Sequence, residues 1–164
     1  MKKSKIYLIF NVLNVILILL AGNAFGKNLL AVLDLKHNKK SISTKSALVV
    51  SNKISRVLSS NKNFEQFDRK IMPDLLKQLN LDGLAKNCSN EECLQAIGSK
   101  IGAKYVIGGS VVRVNKKTKI KLSFVDVTTK KVINTASLSS TLDIDAITES
   151  EIPGMVNKLI SKKR

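Results

Sequence analysis

Asn90-Glu91-Glu92-Cys93-Leu94-Gln95-Ala96-Ile97-Gly98-Ser99-Lys100-Ile101-Gly102-Ala103-Lys104-Tyr105-Val106-Ile107-Gly108-Gly109-Ser110-Val111 decides the fold, because a helix gives way to a strand within it. Asn90 to Ile101 reads as a helix closed by Gly102, the residue best able to take the left-handed conformation that ends a helix. The β-rich run Tyr105 to Val114 follows directly. Gly98, Gly102, Gly108 and Gly109 fall inside the helix, at its end and inside the strand. A dinucleotide fingerprint instead needs Gly-x-Gly-x-x-Gly after a strand and opening a helix. Close packing or a bulge explains Gly108-Gly109 better.

Downstream, Lys119 to Val127 alternates with Ile120, Leu122 and Phe124 on one face and Lys119, Lys121 and Ser123 on the other, as in a half-buried antiparallel strand. Val132 to Leu138 is a further strand, and the short polar links Asn115 to Thr118 and Thr128 to Lys131 imply hairpins. A last helix spans Glu151 to Lys162, with Pro153 in its first turn and Val156, Leu159 and Ile160 facing inward. Upstream, the apolar run Leu29 to Leu35 suits a buried strand. Ala47, Val50, Ile54, Val57 and Leu58 recur at helical steps between Thr44 and Asn61. Phe64 to Asp68 is a brief strand candidate. Ile71, Leu75, Leu76 and Leu79 make a second helical stripe with Pro73 near its start, and Asn80 to Asn87 reads as a loop. The expected order is β-α-β-α-α-β-β-β-α, an α/β (α+β) domain with helices packed on a mixed sheet whose last three strands are antiparallel.

The amino terminus has the layout of a secretory signal. Lys2, Lys3 and Lys5 precede an apolar run from Ile6 to Ala21, and Ala24-Phe25-Gly26 puts small residues three and one before a cut between Gly26 and Lys27. The run falls short of the roughly 20 apolar residues that cross a bilayer, although an uncleaved anchor is the alternative. No cysteine stands at the cut to carry a lipid. Residues 1–26 are thus expected to leave one domain of residues 27–164, periplasmic or otherwise exported.

The 28 basic and 12 acidic residues give a net +16, and loss of the three signal lysines leaves +13. For an exported chain, that charge favours anionic lipid headgroups or wall polymers over nucleic acid. Lysines are spread along the chain, however, so ordinary solvated lysines compete with a dedicated anion site. Lys158, Lys162, Lys163 and Arg164, in the one true cluster, are the candidate anion contacts.

Cys88-Ser89-Asn90-Glu91-Glu92-Cys93 combines two signals. Ser89 and Glu92 have the spacing of a capping box, which would make Cys88 and Cys93 the two positions that a hydrophobic staple joins. An oxidising compartment would turn that staple into a disulfide. Reduced thiols or a metal site are the alternatives, but zinc wants four ligands and His37 is the single histidine. The spacing also departs from the redox-active Cys-x-x-Cys. No catalytic constellation stands out. Asp34, Asp68 and Asp126 sit near strand ends, where carboxylates more often cap or pair, and Asp68-Arg69 reads as a local charge pair. The absence of Trp argues against stacking platforms. No catalytic, cofactor-binding or metal-binding residue is assigned.

Leu30-Ala31-Val32-Leu33-Asp34-Leu35, Phe67-Asp68-Arg69, the passage Cys93 to Val111 and Leu122-Ser123-Phe124-Val125-Asp126-Val127 resemble successive landmarks of the CsgG-like superfamily. That grouping includes the periplasmic core of the curli secretion subunit, with a fold similar to the TolB amino-terminal domain and the penicillin-binding-protein activator LpoB. The resemblance implies a helix-packed sheet and a non-catalytic role in envelope assembly through protein contacts. Pore formation is not implied, since no link is long enough for barrel hairpins. Thr128-Thr129-Lys130-Lys131 stands where relatives tend to have Thr-Gly in the last hairpin. The expected function is a protein-binding accessory or assembly factor, acting through a sheet edge or helix faces on an envelope protein. The alternative is a module for anionic envelope lipid or polymer.

Overall fold

A computed structural model of the chain describes residues 28–161. The expected signal with its cut between Gly26 and Lys27 lies outside the described residues, as do Lys162, Lys163 and Arg164. The elements are β1 (Leu29–Val32), β2 (Lys36–His37), α1 (Thr44–Ser59), β3 (Glu65–Gln66), α2 (Met72–Gln78), α3 (Asp82–Asn87), α4 (Glu91–Ile101), β4 (Tyr105–Val114), β5 (Lys117–Asp126), β6 (Lys131–Ser140), α5 (Ile144–Ala146), a π turn (Ile147–Glu151) and α6 (Ile152–Ile160). They form the expected mixed sheet, in the order β3-β1-β4-β5-β6, with β2 also pairing with β4. β1 is parallel to β3 and β4, and β4, β5 and β6 are antiparallel.

Both faces of β1 are covered, which is why its sequence is apolar without alternation. Leu30 and Val32 join α1 and α6 in one core, where Val50, Ile54, Leu58, Ile152 and Leu159 are sealed from solvent. Ala31 and Leu33 join α2, α3 and α4 in a second core on the opposite face, with Met72, Leu94 and Ile97. Phe64, Tyr105 and Phe124 stack edge-to-face or tilted, 5.5–5.7 Å apart, against the first core. Buried Ser51 accepts the Leu35 N–H at 3.1 Å and donates to the Ala47 carbonyl, which fastens α1 to the chain leaving β1. Gln66 exchanges two 2.8 Å hydrogen bonds with Ser55 and ties β3 to α1.

Several details differ from the sequence expectation. The apolar run Leu29 to Leu35 is not one strand: Val32 pairs with Ile107, but Lys36 pairs with Ser110, so the chain takes one extra residue before pairing again. Asn80 to Asn87 is not all loop, since α3 occupies Asp82–Asn87 with Ala85 as its buried residue, too sparse a stripe to register as periodic. The cap of α4 is Asn90, not Ser89: its side chain accepts the Cys93 N–H at 3.0 Å. Asparagine caps as well as serine, and the helix starts one residue later, leaving Ser89 before the cap and Glu92 in the first turn without capping-box geometry. The last helix begins well before Glu151, at Asp143, whose carboxylate accepts the Ala146 N–H. Pro153 has no N–H to give the Glu149 carbonyl, and the π turn immediately before it, closed by Ile152 N–H to Ile147, absorbs that gap. Lys53 pairs with Glu149 and anchors this turn to α1.

The two hairpins follow local chemistry. Asn115 and Lys116 both have positive φ, 50° and 63°, the two-residue turn whose twist matches antiparallel strands. Asp126 accepts the N–H groups of Thr128 and Thr129 to shape the second turn, which Lys130 closes at φ 54°.

Cys88 and Cys93 are disulfide-bonded, with Cα atoms 5.6 Å apart, and Cys88 is buried in the second core. Reduction is expected to lower unfolding free energy by about 2 kcal/mol, the entropy of so small a loop, with little change in far-ultraviolet circular dichroism. Gly109 has φ 156°, and a Cβ there would lie 1.9 Å from the Lys121 carbonyl oxygen, backbone that cannot swing aside. Gly109→Ala should therefore cost about 1–3 kcal/mol in urea titrations. Gly83→Ala, with nothing within 4 Å, should be neutral or slightly stabilising.

Candidate functional site

The strand order places a crevice at the carboxyl end of β1. The chain leaves β1 towards α1 on one face of the sheet and leaves β3 towards α2 on the other. Open α/β sheets bind ligands where adjacent connections part in this way. A cleft of about 550 Å³ lies there, between α1, the segment after β3, α2 and α3.

Arg69 holds the mouth of the crevice together. Its guanidinium donates to Asn52 Oδ1 of α1 at 2.9 Å, to the Val32 carbonyl at 2.7 Å and to Asp34 Oδ1. One side chain thus joins the ends of β1 and β3 and the middle of α1, using the planar fork that makes arginine suited to several acceptors at once. The Arg69 side chain is 16% exposed and that of Asp34 is 52% exposed, so the pair straddles the boundary with solvent. The expected local pair Asp68-Arg69 does not form. Asp68 instead accepts the Lys70 N–H at 2.8 Å in a tight turn, and that turn turns Arg69 towards β1.

The deep part of the cleft is apolar, with buried Val32, Met72, Leu76 and Ala85 alongside half-exposed Leu48. Exposed charges of both signs ring it: Lys70, Lys77 and Lys86 with Asp74 and Asp82. Lys86 donates to Asp82 at 3.4 Å, and this bond, with help from the Gly83 N–H, holds the Asp82 carboxyl below its ordinary pKa. Such a site can desolvate an apolar group and discriminate by the charges beside it. Asp34 is engaged with Arg69.

The other residues singled out by sequence are scattered. His37 bridges the Leu35 carbonyl and Thr44 Oγ1, at 3.3 and 3.1 Å, and joins β2 to the start of α1. Asp126 serves its turn. The disulfide lies at the α3–α4 junction, and Lys158 is exposed on α6. Among the described residues no group of three or more His, Cys, Asp or Glu could hold a metal ion, and no helix is long and apolar enough to cross a membrane. The cleft itself was not predicted. Its signal, Asp34 beyond an apolar strand and Arg69 after the next, was visible, but nothing local says that the two strands are neighbours.

No family model matches the sequence, and no curated protein does. Solved structures share the fold. The C-terminal domain of LpoB from Escherichia coli is 16% identical with a TM-score of 0.53, over 73% of this chain and 87% of that one. The LpoB domain from Salmonella enterica has the same identity and coverage with a TM-score of 0.52. Lipoprotein GNA1162 from Neisseria meningitidis is 14% identical, with a TM-score of 0.53 over 81% of this chain and 93% of that one. At such identities the likeness is one of fold, and it matches the LpoB-type part of the expected resemblance.

Arg69→Met should cost about 1–3 kcal/mol, because it leaves the Val32 carbonyl and Asp34 without their donor. Asp34→Asn keeps an acceptor at a half-exposed site and should cost under about 1 kcal/mol. Urea unfolding of the two variants beside the parent checks both.

Proposed function

We propose that this chain is a non-catalytic accessory or assembly factor of the cell envelope, of the CsgG-like grouping, that docks a partner protein in the cleft at the carboxyl end of β1. The supporting observation is where apolar surface is left uncovered. Among the described residues eight large apolar side chains are exposed, and Leu48, Val49, Ile71, Leu79 and Leu84 stand on α1 or on α2 and α3 and their flanks, the elements that border the cleft. Ile71 and Leu79 belong to a helical stripe that reads as core in sequence, yet they are 55% and 40% exposed. Of these Leu48 lines the cleft itself, and exposed apolar groups beside a concave site are the kind of surface that protein interfaces use.

In this reading an apolar side chain of the partner enters the cleft, which gains about 1.5–3 kcal/mol from its burial. Arg69 keeps the two walls at fixed separation, so the cleft is preorganised and loses little entropy on binding. Lys70 and Lys77 favour acidic neighbours of that side chain and Asp74 a basic one, which fixes the orientation of the partner. The shared fold with LpoB domains and a lipoprotein supports a place in the envelope. The export signal supports a periplasmic or otherwise exported location. A second reading, contact with anionic lipid or polymer, rests on exposed Lys158, which stands on α6 just before Lys162, Lys163 and Arg164.

A photo-crosslinker at position 48 or 71, in native envelopes, should capture one recurrent protein that remains in moderate salt. Leu48→Glu should abolish capture while leaving the melting temperature within a few degrees, since the side chain is already partly in water. Recovery of only lipid or polymer, released by salt and lost on neutralising Lys158, Lys162, Lys163 and Arg164, would replace this reading with the second one.

A further inference from the structure

Away from the cleft, the sheet ends in a strand whose outer edge pairs with none of the described residues. β6 is the last strand in the order, and it packs on β5 along one edge and under α6 on one face. Asn134 donates to the Lys158 and Leu159 carbonyls, and Ser140 donates to Glu151, so α6 and its approach hold that face in place. The free edge is long. From Val132 to Ser140 it carries neither charge nor proline, the devices by which sheets ordinarily keep other chains off an edge. The one irregularity is an extra residue, Ile133, on β6 between the partners of Phe124 and Val125; it affects only the start of the strand, and Asn134 to Ser140 pair in unbroken register.

The orientation of the edge follows from one hydrogen bond. The Thr135 N–H donates to Asn134 Oδ1 at 2.9 Å, so it points away from β5. By the two-residue alternation of an antiparallel strand, the N–H and C=O groups of Ser137 and Ser139 point away too.

The face opposite α6 is also bare along this part of the sheet, and its charge is of one sign. Lys117, Lys119 and Lys121 project from β5 at alternate positions and are all exposed. Register sets Ser110, Lys121 and Ser137 in one row and Val112, Lys119 and Ser139 in the next. These residues line a groove of about 370 Å³. Among the described residues none of the three lysines has an acidic partner. The serines between the lysines and the edge are small, and an added strand would lie two strand spacings from β5, about 10 Å. Opposed lysine and glutamate side chains span that distance over a serine.

We infer that the β6 edge accepts an extended segment of a partner protein as a further antiparallel or parallel strand, and that this segment bears aspartate or glutamate at every second position, over the Lys119 and Lys121 rows. Main-chain bonds to Ser137 and Ser139 supply affinity, and the lysine rows choose the sequence and its register. A second copy of this chain fits less well, because pairing β6 with itself would bring two lysine faces together.

The test uses the purified, oxidised chain at low salt with two labelled peptides the length of β6, ten residues. One alternates valine with glutamate, the other valine with lysine. The glutamate peptide should bind and slow amide exchange at Ser137 and Ser139. Ser137→Pro, which removes an outward N–H but no bond to β5, should weaken binding about tenfold, as should Ser137→Glu, which sets a like charge against the peptide's glutamates, if the proline variant misfolds. Lys119→Glu with Lys121→Glu should reverse the preference to the lysine peptide. Leu48→Glu should leave all of this unchanged, which separates the edge from the cleft. Equal binding of both peptides, no binding of either, or slowed exchange confined to other elements would overturn the inference. So would protection of β6 that grows with protein concentration alone, which would assign the edge to a second copy.

Discussion

The domain depends on the burial of β1. The strand lies between two parallel neighbours, β3 and β4, and is covered by helices above and below, so alternate side chains feed two separate cores. A strand in that position must be apolar at every residue and must send its connections to opposite faces. The parting of those connections opens the cleft, and Arg69 spans the parting with bonds to β1 and α1. The site is thus a by-product of the topology that buries the strand. Its charges are supplied by loop and helix-end residues that the cores leave free.

The rest of the sheet answers to a different constraint. α4 reaches across β4 only as far as Gly108, where a Cβ would meet Leu94 at 2.4 Å. Beyond that point no helix among the described residues covers the same face, and β5 changes pattern accordingly: exposed lysines alternate with buried residues from Lys117 to Lys121, whereas Leu122 to Val125 are all buried. One strand records in its own sequence where the second helical layer stops.

Features set by neighbours in sequence were readable from the chain. The alternation of β5, the Gly102 stop of α4, with φ 71°, and the stripe of α1 each rest on residues a few positions apart. Where two local signals competed, the reading slipped by a residue: Ser89 and Asn90 are equally good caps, and backbone placement rather than side-chain chemistry chose Asn90. Elements with one buried residue, such as α3, leave no period to detect. The cleft was illegible for a stronger reason. Arg69 and Asp34 are 35 residues apart, and the adjacent Asp68 offered a nearer partner that the turn at Lys70 had already taken.

The position of α6 in the chain bears on how the molecule can be made. Ile152, Val156 and Leu159 close the first core, yet they belong to the last described helix. A polypeptide emerging from a ribosome amino end first cannot complete that core until residues 152–160 have emerged. Until then the apolar face of α1 lacks part of its cover and stays available to chaperones. Packing α6 against α1 thus ties the onset of stable structure to a segment made more than ninety residues later.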